Sequence, residues 1–67
     1  MQLVINGEDH RDLPDRMSVT DLIAYLELPA GKIAVEHNRE VVPKSLHATT
    51  QLSDGDVLEI IHFIGGG

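Results

Sequence analysis

Val57-Leu58-Glu59-Ile60-Ile61-His62-Phe63-Ile64 is the most β-prone run of the chain. It is rich in branched and aromatic residues, the types that suit a pleated surface. Because it is largely apolar, it belongs in the middle of a sheet rather than at an edge. A turn cluster, Ser53-Asp54-Gly55-Asp56, leads into it, and Gly65-Gly66-Gly67 follows it. A sheet with this strand at its centre needs neighbours on both sides and a cover on one face.

The rest of the chain supplies them. Met1-Gln2-Leu3-Val4-Ile5 is a short β-rich run that ends at Asn6-Gly7, a strong two-residue hairpin signal. The returning strand spans about Glu8 to Leu13. It is very polar, which fits an edge strand protected by charge. Next comes a helix, expected over 18–28. Ser18 is its N-cap and Asp21 lies at N3, where a negative charge favours the helix start. Met17 and Leu22 occupy the two positions of a hydrophobic staple. Val19, Leu22, Ile23 and Leu26 make one apolar stripe at i, i+3, i+4 and i+7. Pro29 is expected to stop the helix. Ile33–His37 reads as a third strand, Asn38-Arg39-Glu40 as a turn, and Val41-Val42 as a brief fourth strand closed by Pro43. Residues 44–53 form an irregular crossover with room for one tight helical turn.

A helix with one apolar stripe and a sheet with one face to cover make a two-layer α+β domain. The order ββ-α-ββ-β is that of a ubiquitin-like β-grasp with a mixed sheet, although other small α+β folds share this composition. Residues 1–64 form the domain and 65–67 a flexible tail.

Composition narrows the function. The chain has 67 residues and a net charge of −6, with no Cys. A domain this small buries only about 60% of its unfolded surface, and here it must fold by packing alone. The missing Cys removes disulfides, thiolate nucleophiles and Cys-type zinc sites together. No basic stripe exists to bind nucleic acid. No apolar run approaches a membrane span and no signal peptide is evident, so a cytoplasmic protein is expected. His10, His37, His47 and His62 lie on different elements without helical ligand spacing. At best His37 and His62 become neighbours if their strands pair, and two ligands do not make a metal site. The hydroxyl residues show no nucleophile elbow, and Asp54 and Asp56 flank Gly55 as in a turn. No glycine-rich phosphate loop opens a helix. Nothing here argues for an enzyme.

In the last strand Leu58, Ile60, His62 and Ile64 share one face, and Val57, Glu59, Ile61 and Phe63 the other. The expected assignment puts Leu58 and Ile60 under the helix and leaves Ile61 and Phe63 on the open face. There Phe63 is a candidate anchor for a partner. The alternative packs both in the core at the sheet's end. Asp54, Asp56 and Glu59 either guide an encounter with a basic partner or form a solvated turn and face.

The triple glycine carries the chemistry. Glycine has no Cβ and can enter channels closed to other residues. Such a tail presents an α-carboxylate with nothing bulky near it. A carboxylate is a poor electrophile and must be activated before it reacts.

At this point the sequence resembles a known family. Asn6-Gly7 after the first strand, Ala34-Val35 then Asn38, Val42-Pro43-Lys44-Ser45, Leu52-Ser53-Asp54-Gly55-Asp56 and the terminal Gly66-Gly67 are similar, in order and spacing, to the sulfur carriers of thiamin biosynthesis, the ThiS family of ubiquitin-like β-grasp proteins. The resemblance covers essentially the whole chain. It implies that a ThiF-like adenylyltransferase, using ATP and magnesium, adenylates the carboxylate of Gly67, with Gly65 and Gly66 keeping the approach slim. It further implies that a cysteine desulfurase-derived sulfur relay converts the adenylate to a thiocarboxylate, and that a ThiG-like thiazole synthase consumes the sulfur. The chain is then a recycled co-substrate with no bound cofactor. Alternatives are the small subunit of molybdopterin synthase, a ubiquitin-like protein modifier and a plain β-grasp interaction module.

Overall fold

The computed structural model describes residues 1–29 and 32–63. The elements are β1 (Leu3–Ile5), β2 (Glu8–His10), α1 (Val19–Tyr25), β3 (Ile33–His37), β4 (Glu40–Val42), a 3-10 turn (Lys44–Leu46) and β5 (Val57–His62). The strands form one mixed sheet in the order β2-β1-β5-β3-β4. The apolar composition of β5 suits this central place, with β1 and β3 on its two sides and the short β2 and β4 at the sheet edges. β5 runs parallel to β1, with Val4 opposite Val57 and Ile5 opposite Leu58. It runs antiparallel to β3, with Val35 opposite Ile60 and Glu36 opposite Glu59. The two remaining strands are the outer arms of hairpins. This is the ubiquitin-like β-grasp plan.

Both hairpins turn through two consecutive residues of positive φ, Asn6 (51°) and Gly7 (81°) in one, Asn38 (49°) and Arg39 (71°) in the other. That geometry matches the right-handed twist of the strands. In the second hairpin a non-glycine residue occupies the second left-handed position. β2 is shorter than expected, ending at His10, because Asp12 takes a positive φ (63°) and turns the chain.

The capping box at the helix start is complete. The Ser18 hydroxyl accepts from the Asp21 amide at 3.1 Å, and the Asp21 carboxylate accepts from the Ser18 amide at 2.9 Å. The helix ends at Tyr25, before the expected 28. Pro29 is not what stops it. Glu27 adopts a left-handed conformation (φ 58°), and its amide and that of Leu28 donate back to Ala24 (3.0 Å) and Ile23 (3.1 Å). These two bonds make a Schellman stop, here formed on a glutamate in place of the usual glycine.

Val19 and Leu22 of α1 are fully buried in one cluster with Leu3, Ile5, Val35, Leu58 and Ile60, while Ile23 and Leu26 pack at its margin. The helix thus covers one sheet face. The crossover is held beside the helix start by backbone bonds from Val19 to Thr50 (3.1 Å), Thr20 to His47 (3.0 Å) and Leu52 to Met17 (2.9 Å). His47 is buried there, its Nε2 3.1 Å from the Val42 carbonyl, so this histidine is a structural tie. Among the described residues no helix is long and apolar enough to cross a membrane.

Candidate functional site

The alternation of β5 decides what the protein shows to a partner. Leu58 and Ile60 are buried under α1. The other parity is exposed: Val57 keeps 44% of its surface, Ile61 51% and Phe63 53%. Sheet register extends this face sideways. Ala34 lies opposite Ile61, Glu36 opposite Glu59, and Val41 of β4, 70% exposed, opposite Glu36. The open face is therefore an apolar surface with two glutamates side by side at its middle. Like charges directly opposite each other in a sheet oppose folding, and exposed large apolar side chains grouped on one face mark interaction sites.

β5 is braced on both edges by asparagines from the two hairpin turns. On the β1 side, Asn6 Nδ2 donates to the Ile60 carbonyl (3.1 Å) and Asn6 Oδ1 accepts from the Ile60 amide (2.7 Å). On the β3 side, Asn38 Oδ1 accepts from the Val57 amide (2.9 Å) while the Asn38 amide donates to the Val57 carbonyl (2.8 Å). The turn before β5 is tied down as well. Asp54 accepts from the Gln2 amide at 2.6 Å. Asp56 accepts from His37 Nε2 (2.6 Å), the Ser53 amide (2.8 Å) and Asn38 Nδ2 (3.1 Å). Partial burial pushes the Asp56 carboxyl up, but the bonds from His37, Ser53 and Asn38 and the His37 charge outweigh it and hold it below the usual carboxylate range. Asp56 is thus a structural tie, while Asp54 binds the Gln2 amide from an exposed turn.

The sequence model of the ThiS family matches residues 2–67. The chain belongs to the ThiS family. It is 38% identical to the sulfur carrier protein ThiS of Bacillus subtilis over 65 residues, 97% of this chain and 98% of that one. It is 51% identical over all 67 residues to part of a thiazole synthase of Paramagnetospirillum magneticum, of whose length the match occupies 20%. The crystal structure of the thiamine biosynthesis protein ThiS from Geobacter metallireducens superimposes with a TM-score of 0.84 at 33% identity, covering 100% of both chains.

In this ThiS-family chain the expected site residues divide into two groups. Ile61 and Phe63 stand on the exposed face. Ile64, Gly65, Gly66 and Gly67, with the boundary between domain and tail, lie outside the described residues. The pairing of β3 with β5 does not bring His37 and His62 together. His37 lies opposite Leu58 and His62 opposite Ile33, so the antiparallel register puts them at opposite ends. His62 instead lines, together with His10, a cleft of about 380 Å³ between the residues after α1 (Leu26, Leu28) and the ends of β1 and β5. Among the described residues no group of three or more ligating side chains could hold a metal ion. The side-chain roles of Asn6 and Asn38 escape a reading of the sequence. Each shows there only as a turn former, and its partner on β5 is remote along the chain.

Proposed function

We propose that this ThiS-family chain is a sulfur carrier that delivers sulfur to a thiazole synthase as the thiocarboxylate of Gly67. The observation that carries the reading is the full-length match to the ThiS family and to the B. subtilis sulfur carrier. The thiazole synthase of P. magneticum, with a segment so similar to this chain, supports an acceptor of that class.

The chemistry has three steps. A ThiF-like adenylyltransferase binds ATP and magnesium. The Gly67 carboxylate attacks the α-phosphorus, forming an acyl-adenylate and releasing pyrophosphate. A sulfur nucleophile from a desulfurase-derived relay then attacks the acyl carbon, and AMP leaves with the carboxyl oxygen that it had gained. A second thiol of the relay attacks the relay-side sulfur of the resulting acyl disulfide, forming a disulfide within the relay and releasing the carrier as a thiocarboxylate, whose sulfur passes to the nascent thiazole. The chain has no Cys, so its covalent sulfur rides on a carboxyl carbon and not on a thiol. Gly65 and Gly66 let the end thread a narrow channel. The chain itself supplies no catalytic group and binds no cofactor of its own.

The open face of the sheet is the docking surface in this reading. Ile61 and Phe63 are its apolar anchors, next to the glycines along the chain, and Glu36 with Glu59 favours a partner that presents a basic side chain.

The test is incubation of the purified chain with a ThiF-like enzyme, ATP, magnesium, a desulfurase and cysteine, followed by intact-mass analysis. Replacement of one oxygen by sulfur, located to Gly67 by fragmentation and lost on deletion of Gly67, is the expected result. A chain whose mass stays unchanged while an established carrier is converted in parallel overturns the proposal.

A further inference from the structure

We infer that Asn6 is a positioning residue for the reactive end: its carboxamide takes the place of a missing strand along the last part of β5. This rests on the sulfur-carrier reading for its functional half only.

β1 stops at Ile5 and the chain turns away through Asn6 and Gly7. The ladder from β1 to β5 has by then reached the bond from the Asn6 amide to the Leu58 carbonyl (2.9 Å). The next inward pair of backbone groups on that edge belongs to Ile60. Both are met by the Asn6 side chain, at 2.7 and 3.1 Å, so a residue already in the turn continues the ladder by one more rung. On the opposite edge β3 pairs with β5 as far as the bond from the Phe63 amide to the Lys32 carbonyl (2.8 Å). The end of β5 is therefore held between β3 and one carboxamide, four residues before Ile64.

The chemical requirement is narrow. The turn needs a residue tolerant of positive φ, which Gly, Asn and Asp all satisfy. The bracket needs a donor and an acceptor on one planar group at short reach, which only Asn provides among these. Glycine keeps the turn and loses the bracket. Aspartate keeps the acceptor and sets a second anionic oxygen against the Ile60 carbonyl. A carrier whose last strand is fixed presents its end from a defined point. One whose strand frays must be ordered at the enzyme, which weakens apparent binding in proportion to the competent fraction.

The experiment compares wild type, Asn6→Gly, Asn6→Asp and Ser18→Ala by amide hydrogen exchange and by pyrophosphate release with a ThiF-like enzyme. Ser18→Ala weakens the helix cap, remote from the end of β5, and controls for general destabilisation. In Asn6→Gly the Ile60 amide is expected to exchange about tenfold faster, and in Asn6→Asp, which keeps the acceptor for that amide, by less, with the Leu22 amide unchanged relative to the global rate. The KM for the carrier is expected to rise about threefold with kcat unchanged, an effect absent from Ser18→Ala. Wild-type protection of Ile60 in Asn6→Gly overturns the bracket. Lost protection with unchanged KM, or an equal rise in Ser18→Ala, overturns the positioning role while the carrier reading stands. A wild-type chain that is never adenylated removes the carrier reading and the positioning role together, and the exchange data still judge the bracket.

Discussion

The imidazole of His37 stands 2.6 Å from the carboxylate of Asp56, joining the last residue of β3 to the turn that launches β5. The same carboxylate accepts from the Ser53 amide and from Asn38. One half-buried anion therefore ties the end of β3 and its turn, at His37 and Asn38, to the turn 53–56 that is distant in sequence. Replacing it by Asn6-like chemistry is not neutral, because an amide at 56 would turn a donor toward groups that themselves donate.

Asp56→Asn is expected to lower stability by about 1–3 kcal/mol, the range for leaving bonded groups without their charged partner. The pH dependence has a definite sign. The folded-state pKa of Asp56 lies below its ordinary value of 3.8. Its contribution is therefore complete above that value and is lost as pH falls through the lower folded pKa. Urea denaturation at pH 7 and at steps below 3.8 checks this. The gap between wild type and variant should close only in the acid range.

Glu36 and Glu59 face each other on neighbouring strands of the open face. Glu59→Lys converts that repulsion to attraction and should raise stability by about 0.2–1 kcal/mol. Thermal melts at low and high salt are the measurement, with the gain shrinking as salt screens the pair. The same variant should bind a ThiF-like partner more weakly, since the open face then loses part of its negative charge. Equal or tighter binding would count against docking through this face.

Ile61 and Phe63 are half exposed and opposite in parity to the core residues of β5. Ile61→Ser and Phe63→Ser should each change stability by no more than about 0.5 kcal/mol, as for surface positions. Each should weaken association with the activating partner about tenfold or more, as expected of a central apolar anchor. Calorimetric titration of the folded variants separates the two effects. Large destabilisation with unchanged affinity would assign these side chains to packing.

Gly66→Ala, or one residue added after Gly67, should leave the melting temperature unchanged and abolish pyrophosphate release. In the proposed carrier reading both changes act on the end that enters the partner's channel, and they lie outside the core residues of the domain. Normal transfer by either variant contradicts the role given to Gly67.

Much of this architecture is legible in local sequence. Ser18 and Asp21 announce the helix start because a cap needs only neighbours three residues apart. Asn6-Gly7 announces its hairpin for the same reason. The end of the helix is not legible in this way. Pro29 is the visible breaker, yet Glu27 ends the helix sooner by adopting a conformation for which glutamate has no preference. Asn38-Arg39-Glu40 is legible as a turn between two strands, but its type, two consecutive left-handed residues as in Asn6-Gly7, is not, since arginine does not advertise positive φ.

The sequence by itself determined the elements: a core strand read from the composition of 57–64, a capped amphipathic helix, and turns at the glycines and asparagines. Each depends on interactions within a few residues. Tertiary structure alone decided which residues meet across the sheet. The Asn6 bracket on Ile60, the Glu36–Glu59 pair and the separation of His37 from His62 all depend on register, which is a joint property of two strands and is written in neither one. The helix then settles which side of that sheet is covered, and so leaves Ile61 and Phe63 facing outward.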